Sequence, residues 1–338
     1  MSAALYAPWP ATARRTWAFA AIAMTVGGYL LSSLPLVLGV GAFAAVQQVQ
    51  AGADPLAVEA ALQAATLSVL MPLLAAQFIM WTVMTLMWTA MFERRGLASL
   101  GLSLTPGAAG RYLAGLALGL ILLIVIAGLA ASLGDIENTT GALDLGADAS
   151  ASGLAAALSR PGVVAGLVFA ACVFLVQGGA EEVVFRGWLM STLAARWGVR
   201  AAVLVSSAAF MLFHVHVFVS GLWFGIAALA GIGMMGLVFA LLSVLTRSVW
   251  EAVAAHGAFN AAAVTGPTLG LLASDPELDV SAAFARVFES ATGMAGPDSA
   301  QLGPETFAQA LAAGAIAALL AVVIARAGRA GRSWRAEL

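Results

Sequence analysis

Eight stretches of this chain are each long and apolar enough to cross a bilayer. In hydrocarbon every backbone N–H and C=O must find its partner within the segment, so runs of this length have to be helices. They fall at about 17–46, 67–92, 112–133, 162–192, 201–219, 222–245, 249–271 and 307–327. The chain therefore reads as an all-α, polytopic membrane protein with about eight transmembrane helices. Composition agrees: of 338 residues, 62% are hydrophobic and 9% charged, far from the balance of a soluble domain. Every polar stretch is too short to bury a core of its own. The first run exceeds the h-region of a signal peptide, although Ala42-Phe43-Ala44 loosely resembles a cleavage site, and Pro35 predicts a kink within it.

The polar connections between these runs alternate in sign. With eight spans, Arg14, Arg15, Arg94, Arg95, Arg111, Arg196, Arg200, Arg247, Arg326, Arg329, Arg332 and Arg335 share one side, and only Arg160 and Arg286 fall on the other. The positive-inside rule then puts both termini in the cytoplasm. The opposite side collects acids, among them Asp54, Glu59, Asp135, Glu137, Asp144, Asp148, Asp275, Glu277, Asp279, Glu289, Asp298 and Glu305. All fifteen basic residues are Arg and none is Lys, which reads as the bias of a GC-rich bacterial genome and points to a bacterial inner membrane. The single cysteine, Cys172, rules out an intramolecular disulfide and is expected as a small core residue. No nucleic-acid partner is expected, and the oligomeric state is left open.

Charge inside the apolar runs is more informative, because one ionised side chain at the bilayer centre costs about 2.5–3.5 kcal/mol on insertion scales. The fourth run holds Gly178-Gly179-Ala180-Glu181-Glu182-Val183-Val184-Phe185-Arg186. Glu182 and Arg186, four apart, share a helical face and can neutralise each other as a purely structural pair. Glu181 points about 100° away, where Phe185 is its neighbour one turn on, so the pair does not account for it. The fifth run carries Phe210-x-x-x-His214 and the seventh His256-x-x-x-Asn260, all well inside their helices. Counted at about 1.5 Å per residue from the flanking arginines, His214 lies roughly 21 Å deep and Asn260 roughly 20 Å, with Glu181 and Glu182 at comparable depth. Polar groups from three helices can therefore converge. His214 and His216 stand about 200° apart on a regular helix, and His214, the deeper, is the candidate site residue.

Glu-Glu-x-x-x-Arg, Phe-x-x-x-His and His-x-x-x-Asn, in that order on successive membrane helices, resemble the CAAX-type intramembrane protease family, also called the CPBP or Abi family. The resemblance covers about residues 161–271. It divides the chain into an N-terminal three-helix region with an outer loop (1–160), a four-helix catalytic core (161–271), and an outer loop, last helix and basic tail (272–338). It implies an endopeptidase acting on membrane-associated or hydrophobic peptides or membrane proteins. By the same resemblance, Glu181 acts as general base on a water also held by His214, and His256 and Asn260 stabilise the oxyanion. Glu182, Arg186 and Phe210 are then supporting residues.

The residue chemistry is compatible with these roles. A carboxylate away from a neutralising arginine suits proton abstraction, and imidazole and amide donors suit a developing oxyanion. A metal such as zinc is the open point: Glu181, His214 and His256 match a catalytic ligand set with water in fourth place. A metal-free mechanism is slightly preferred, since Asn260 is a poor zinc ligand and a natural oxyanion donor. Other intramembrane protease chemistries lack their parts: no His is followed by Glu, Phe218-Val219-Ser220-Gly221 is the nearest approach to a serine motif, and all seven aspartates lie in outer loops. The alternative is a non-enzymatic transporter or a binding or immunity scaffold using the same cluster for protons or ligand.

Two outer connections are long, 134–160 and 273–306. The second carries Phe284, Val287 and Phe288 at helical spacing, fitting either a surface amphipathic helix or a segment packed on its own protein. Glycines such as Gly225, Gly231, Gly233 and Gly236 permit close packing against a neighbour in this or another chain.

Overall fold

A computed structural model describes residues 5–51, 54–133, 150–292 and 304–329. In chain order the α-helices are α1 (Ala18–Gln50), α2 (Pro55–Ala64), α3 (Met71–Met87), α4 (Ala108–Leu133), α5 (Ala151–Ser159), α6 (Val163–Glu182), α7 (Met190–Trp197), α8 (Val199–Leu212), α9 (Leu222–Thr246), α10 (Trp250–Ser274), α11 (Val280–Thr292) and α12 (Pro304–Arg329). Wider, π-helical stretches flank α3 at Thr66–Leu70 and Trp88–Phe92 and join α6 to α7 at Val183–Leu189. No strand occurs among the described residues.

The outside of the bundle is apolar. Leu30, Leu31, Leu34, Val37 and Leu38 of α1, Ile121 and Ile124 of α4, Val164 and Val168 of α6 and Leu319 of α12 are all exposed. Such a belt is stable only in lipid, and the chain is an integral membrane protein. Among the described residues six segments are long and apolar enough to span: α1, the continuous helix Thr66–Phe92, α4, the α6–α7 rod Val163–Trp197, α9 and α12.

The expected fifth and seventh spans differ for separate reasons. Helix α8 stops at Leu212 after 14 residues, and the chain continues as a 3-10 turn, Val215–Ser220. Helix α10 is long enough at 25 residues but carries Glu251, His256 and Asn260. It tolerates them because protein, not lipid, surrounds it: most of its residues are buried, wedged between α4 and α6. Glycines let the backbones touch. A Cβ on Gly178 would lie 2.7 Å from the Gly257 nitrogen, one on Gly257 would lie 2.8 Å from Leu175 Cα, and one on Gly115 or Gly119 would strike the Glu251 or Ala255 carbonyl.

Other expectations are refined. Cys172 is exposed on α6 rather than buried in the core, because its face of the helix turns outward. The second half of the 134–160 connection is the helix α5, capped by Ser150, whose Oγ accepts from Gly153 N at 3.0 Å, while 134–149 lie outside the described residues. Helix α11 packs on its own protein: Phe284 is fully buried, in contact with Phe174 and Phe288. Residues 293–303 and 330–338, with Asp298, Arg332 and Arg335, also lie outside the described residues, as do Asp135, Glu137, Asp144 and Asp148. The glycines of α9 all meet this same chain: Gly225 meets Phe218, Gly231 Gln309, Gly233 Met211, and Gly236 Arg186 and Phe210.

Candidate active site

Helix α6 presents Gln177 and Glu181 on one face, one turn apart, and Glu182 on the next. Beyond Glu182 the rod widens into the π-helical stretch, a feature frequent at functional sites. Arg186, within it, is fully buried and is held by three groups. Its Nη1 donates to Glu182 Oε1 at 2.9 Å, its Nη2 donates to the Gly236 carbonyl at 2.9 Å, and its guanidinium lies 4.3 Å from the Phe210 ring centroid. Gly236 is needed for that approach, since a Cβ there would lie 3.1 Å from both Arg186 Nη2 and Phe210.

His256 bridges the two acids. Its Nδ1 lies 2.9 Å from Glu182 Oε1, and its Nε2 lies 3.6 Å from Glu181 Oε2, outside direct hydrogen-bond length. The ring is sandwiched by aromatics: Phe239 stacks on it at 5.0 Å and Phe210 meets it edge-on at 5.6 Å. Glu182 Oε1 thus receives both Arg186 and His256, and its role in the geometry is to hold them. Glu181 has no such partner. Its Oε2, with Glu182 Oε2 and Arg186 Nε, is buried without a hydrogen bond among the described residues. Buried polar atoms in that state are ones that an ordered water can satisfy.

The remaining candidates stand at the rim. His214 lies just past the end of α8, not inside a helix as the periodicity predicts, and its Nδ1 pairs with the Phe210 carbonyl at 2.9 Å. A carbonyl only accepts, so Nδ1 carries the proton and Nε2 keeps a lone pair for a donor such as water. Because the helix has ended, the regular-helix angle between His214 and His216 no longer applies, and their rings lie 5.8 Å apart. Asn260 Nδ2 donates to Gln177 Oε1 at 2.8 Å. The structure therefore gathers Glu181, Glu182, Arg186, Phe210 and His256 directly. It joins Asn260 to them through Gln177 and His214 through Phe210.

Gln177 was absent from the motif reading. Its signal was available: a lone amide in an apolar run, one helical turn before Glu181. Phe239 had no comparable signal. Nor did the aromatic wall from the first helices, where Trp81 stacks on Phe213 at 5.7 Å and meets Phe185 edge-on at 5.7 Å.

The proposed metal ligands fit the metal poorly. Among the described residues no three His, Cys, Asp or Glu side chains come together as a coordinating group. With the Nδ1 of His214 and that of His256 engaged by Phe210 and Glu182, only their Nε2 atoms could coordinate.

Fold and site together define a class: an integral membrane protein with an acid, imidazole and guanidinium cluster sealed among its helices. A family model described as Type II CAAX prenyl endopeptidase Rce1-like matches residues 163–262. That match begins with α6 and ends two residues beyond Asn260, so it contains all three motifs, and the CAAX-protease likeness stands over this segment. Helices α1 to α5, α11 and α12 lie outside it. No curated protein and no solved structure matches the chain.

Proposed function

We propose that the chain is an intramembrane endopeptidase that hydrolyses peptide bonds in hydrophobic or membrane-associated peptides with a glutamate-activated water. The observation that carries this reading is the asymmetry of the two acids: Glu182 Oε1 is committed to Arg186 and His256, while Glu181 pairs with neither at hydrogen-bond length and its Oε2 stands 3.6 Å from His256 Nε2. In this reading Glu181 takes a proton from a water that also donates to His214 Nε2. The water oxygen bonds to the substrate carbonyl carbon, and negative charge moves to the carbonyl oxygen. His256 Nε2–H and the second Asn260 amide hydrogen stabilise that oxyanion. When the C–N bond breaks, Glu181 returns its proton to the leaving amine. With Nδ1 donating to Glu182 Oε1, donation from Nε2 requires both ring nitrogens of His256 to carry protons.

The reading is metal-free, and no step is routed through a metal. The Rce1-like description names prenyl substrates for that family; nothing in this site selects a prenyl group, and the substrate class proposed is the broader one. We also place eight helical rods in a bacterial inner membrane with both termini cytoplasmic, counting α10, which protein shields, and α8, whose Leu204 and Leu212 face outward.

The test is cleavage of a diverse peptide library by the purified, detergent-solubilised chain. Glu181→Gln is expected to lower cleavage by at least about 10²-fold, the usual scale for losing a general base. A chelator is expected to leave the wild-type rate unchanged. Equal cleavage by wild type and variant would reject Glu181 as the base. Absence of cleavage from both, with proton-driven flux in proteoliposomes, would favour a transport function instead.

A further inference from the structure

The segment before α1 carries none of the motifs, yet it runs into the bundle. Leu5 and Tyr6 are buried in the same apolar cluster as Val184, Phe185 and Leu189 of the π-helical stretch. The Tyr6 hydroxyl donates to the backbone carbonyl of Arg186 at 2.9 Å, across 180 residues of sequence. Tyr6 is itself held from several sides. Arg247 Nη2 donates to the Tyr6 carbonyl at 3.2 Å. Gly101, at φ +74°, leaves room for the ring, from which a Cβ would stand only 3.0 Å. Farther along the segment, the Arg95 guanidinium stacks on Trp9 at 3.9 Å, and Thr16 donates to Glu93 Oε1 at 2.6 Å. Glu93 also accepts from Trp188 Nε1 at 3.0 Å, two residues beyond Arg186.

This anchoring falls on the most consequential part of the rod. A π-helical stretch lacks the regular pairing of its carbonyls four residues on, so groups from outside help set its geometry. From Arg186 the connections run inward: its guanidinium holds Glu182, Glu182 holds His256, and His256 faces Glu181. A shift of the Arg186 backbone is passed to the acid that faces the water. Burial pushes the Tyr6 phenol well above its ordinary pKa, so its O–H remains a donor throughout the neutral range.

We propose that Tyr6 is a positioning residue of the active site, acting through the Arg186 carbonyl, and that residues 5–9 belong to the catalytic unit although they precede the first membrane helix. The proposal rests on the peptidase reading, and its test separates the two. Tyr6→Phe keeps the ring and removes only the donor. In the full-length protein it should lower kcat about 10- to 100-fold with KM within about twofold of wild type, the range seen when a residue that orients a catalytic group is lost. Hydrogen–deuterium exchange should quicken at the amides of 183–189 and stay unchanged in α4 and α12. Wild-type kcat with wild-type exchange at 183–189 overturns the proposal. So does exchange that quickens throughout the molecule, which marks a contribution to folding alone. If the wild-type protein cleaves nothing, the peptidase reading fails, and the exchange at 183–189 still decides whether Tyr6 orders this stretch.

Discussion

Glu181 and Glu182 are adjacent in the chain and opposite in circumstance. Glu182 is fully buried and its Oε1 is joined to Arg186 and His256, whereas Glu181 stands 3.6 Å from His256 Nε2 and is bonded to neither. The spacing of Glu182 and Arg186 made that pair legible from the sequence, since residues four apart share a helical face. Arg186→Ala leaves a buried carboxylate uncompensated and is expected to destabilise the fold by about 3–5 kcal/mol. Replacing both partners together, as Glu182→Leu with Arg186→Met, should cost less than Arg186→Ala alone. Unfolding in mixed micelles measures this, and additive losses would mean that the two charges are not coupled. Asn260→Ala, by contrast, should spare stability and lower kcat by about 10²–10³-fold, the scale for removing an oxyanion donor. Unchanged kcat in that variant would remove Asn260 from the proposed mechanism.

At the scale of elements, the site depends on how closely α10 approaches α6. His256 reaches both acids because Gly178 and Gly257 let the two backbones meet next to it. Gly178→Val inserts a branched side chain where even a Cβ has no space. It is expected to cost about 1–3 kcal/mol and to abolish cleavage by moving His256 off the acids. Gly128→Val in α4 is the control, because nothing lies within 4 Å of its added Cβ, and both activity and stability should match wild type. A Gly178→Val protein with full activity would show that His256 does not need its present register. The end of α8 is the corresponding case that periodicity missed. Apolar residues continue through 215–219, broken only by His216, and only the packed structure shows the helix stopping at Leu212, which places His214 on a turn at the rim.

At the scale of the whole molecule, the two faces of the bundle can be told apart by single-cysteine labelling in a Cys172→Ser background. Ser150→Cys, at the exposed start of α5, should react with a membrane-impermeant thiol reagent on intact cells, and Arg200→Cys, exposed at the start of α8, only after permeabilisation. The reverse pattern would invert the proposed topology. The sequence alone determined the helical class, the membrane environment and the three polar motifs, because hydrocarbon forces backbone pairing to be local and makes every buried charge conspicuous. It placed most helices to within a few residues for the same reason. Tertiary structure alone decided which polar groups share partners: that His256 stands between two acids, that Gln177 links Asn260 to Glu181, that Tyr6 reaches the Arg186 carbonyl, and that α10 carries its charges shielded from lipid. Those arrangements depend on contacts between residues far apart in the chain, made at distances set by glycines and aromatic rings that look alike in an apolar sequence whether they face lipid or a neighbouring helix.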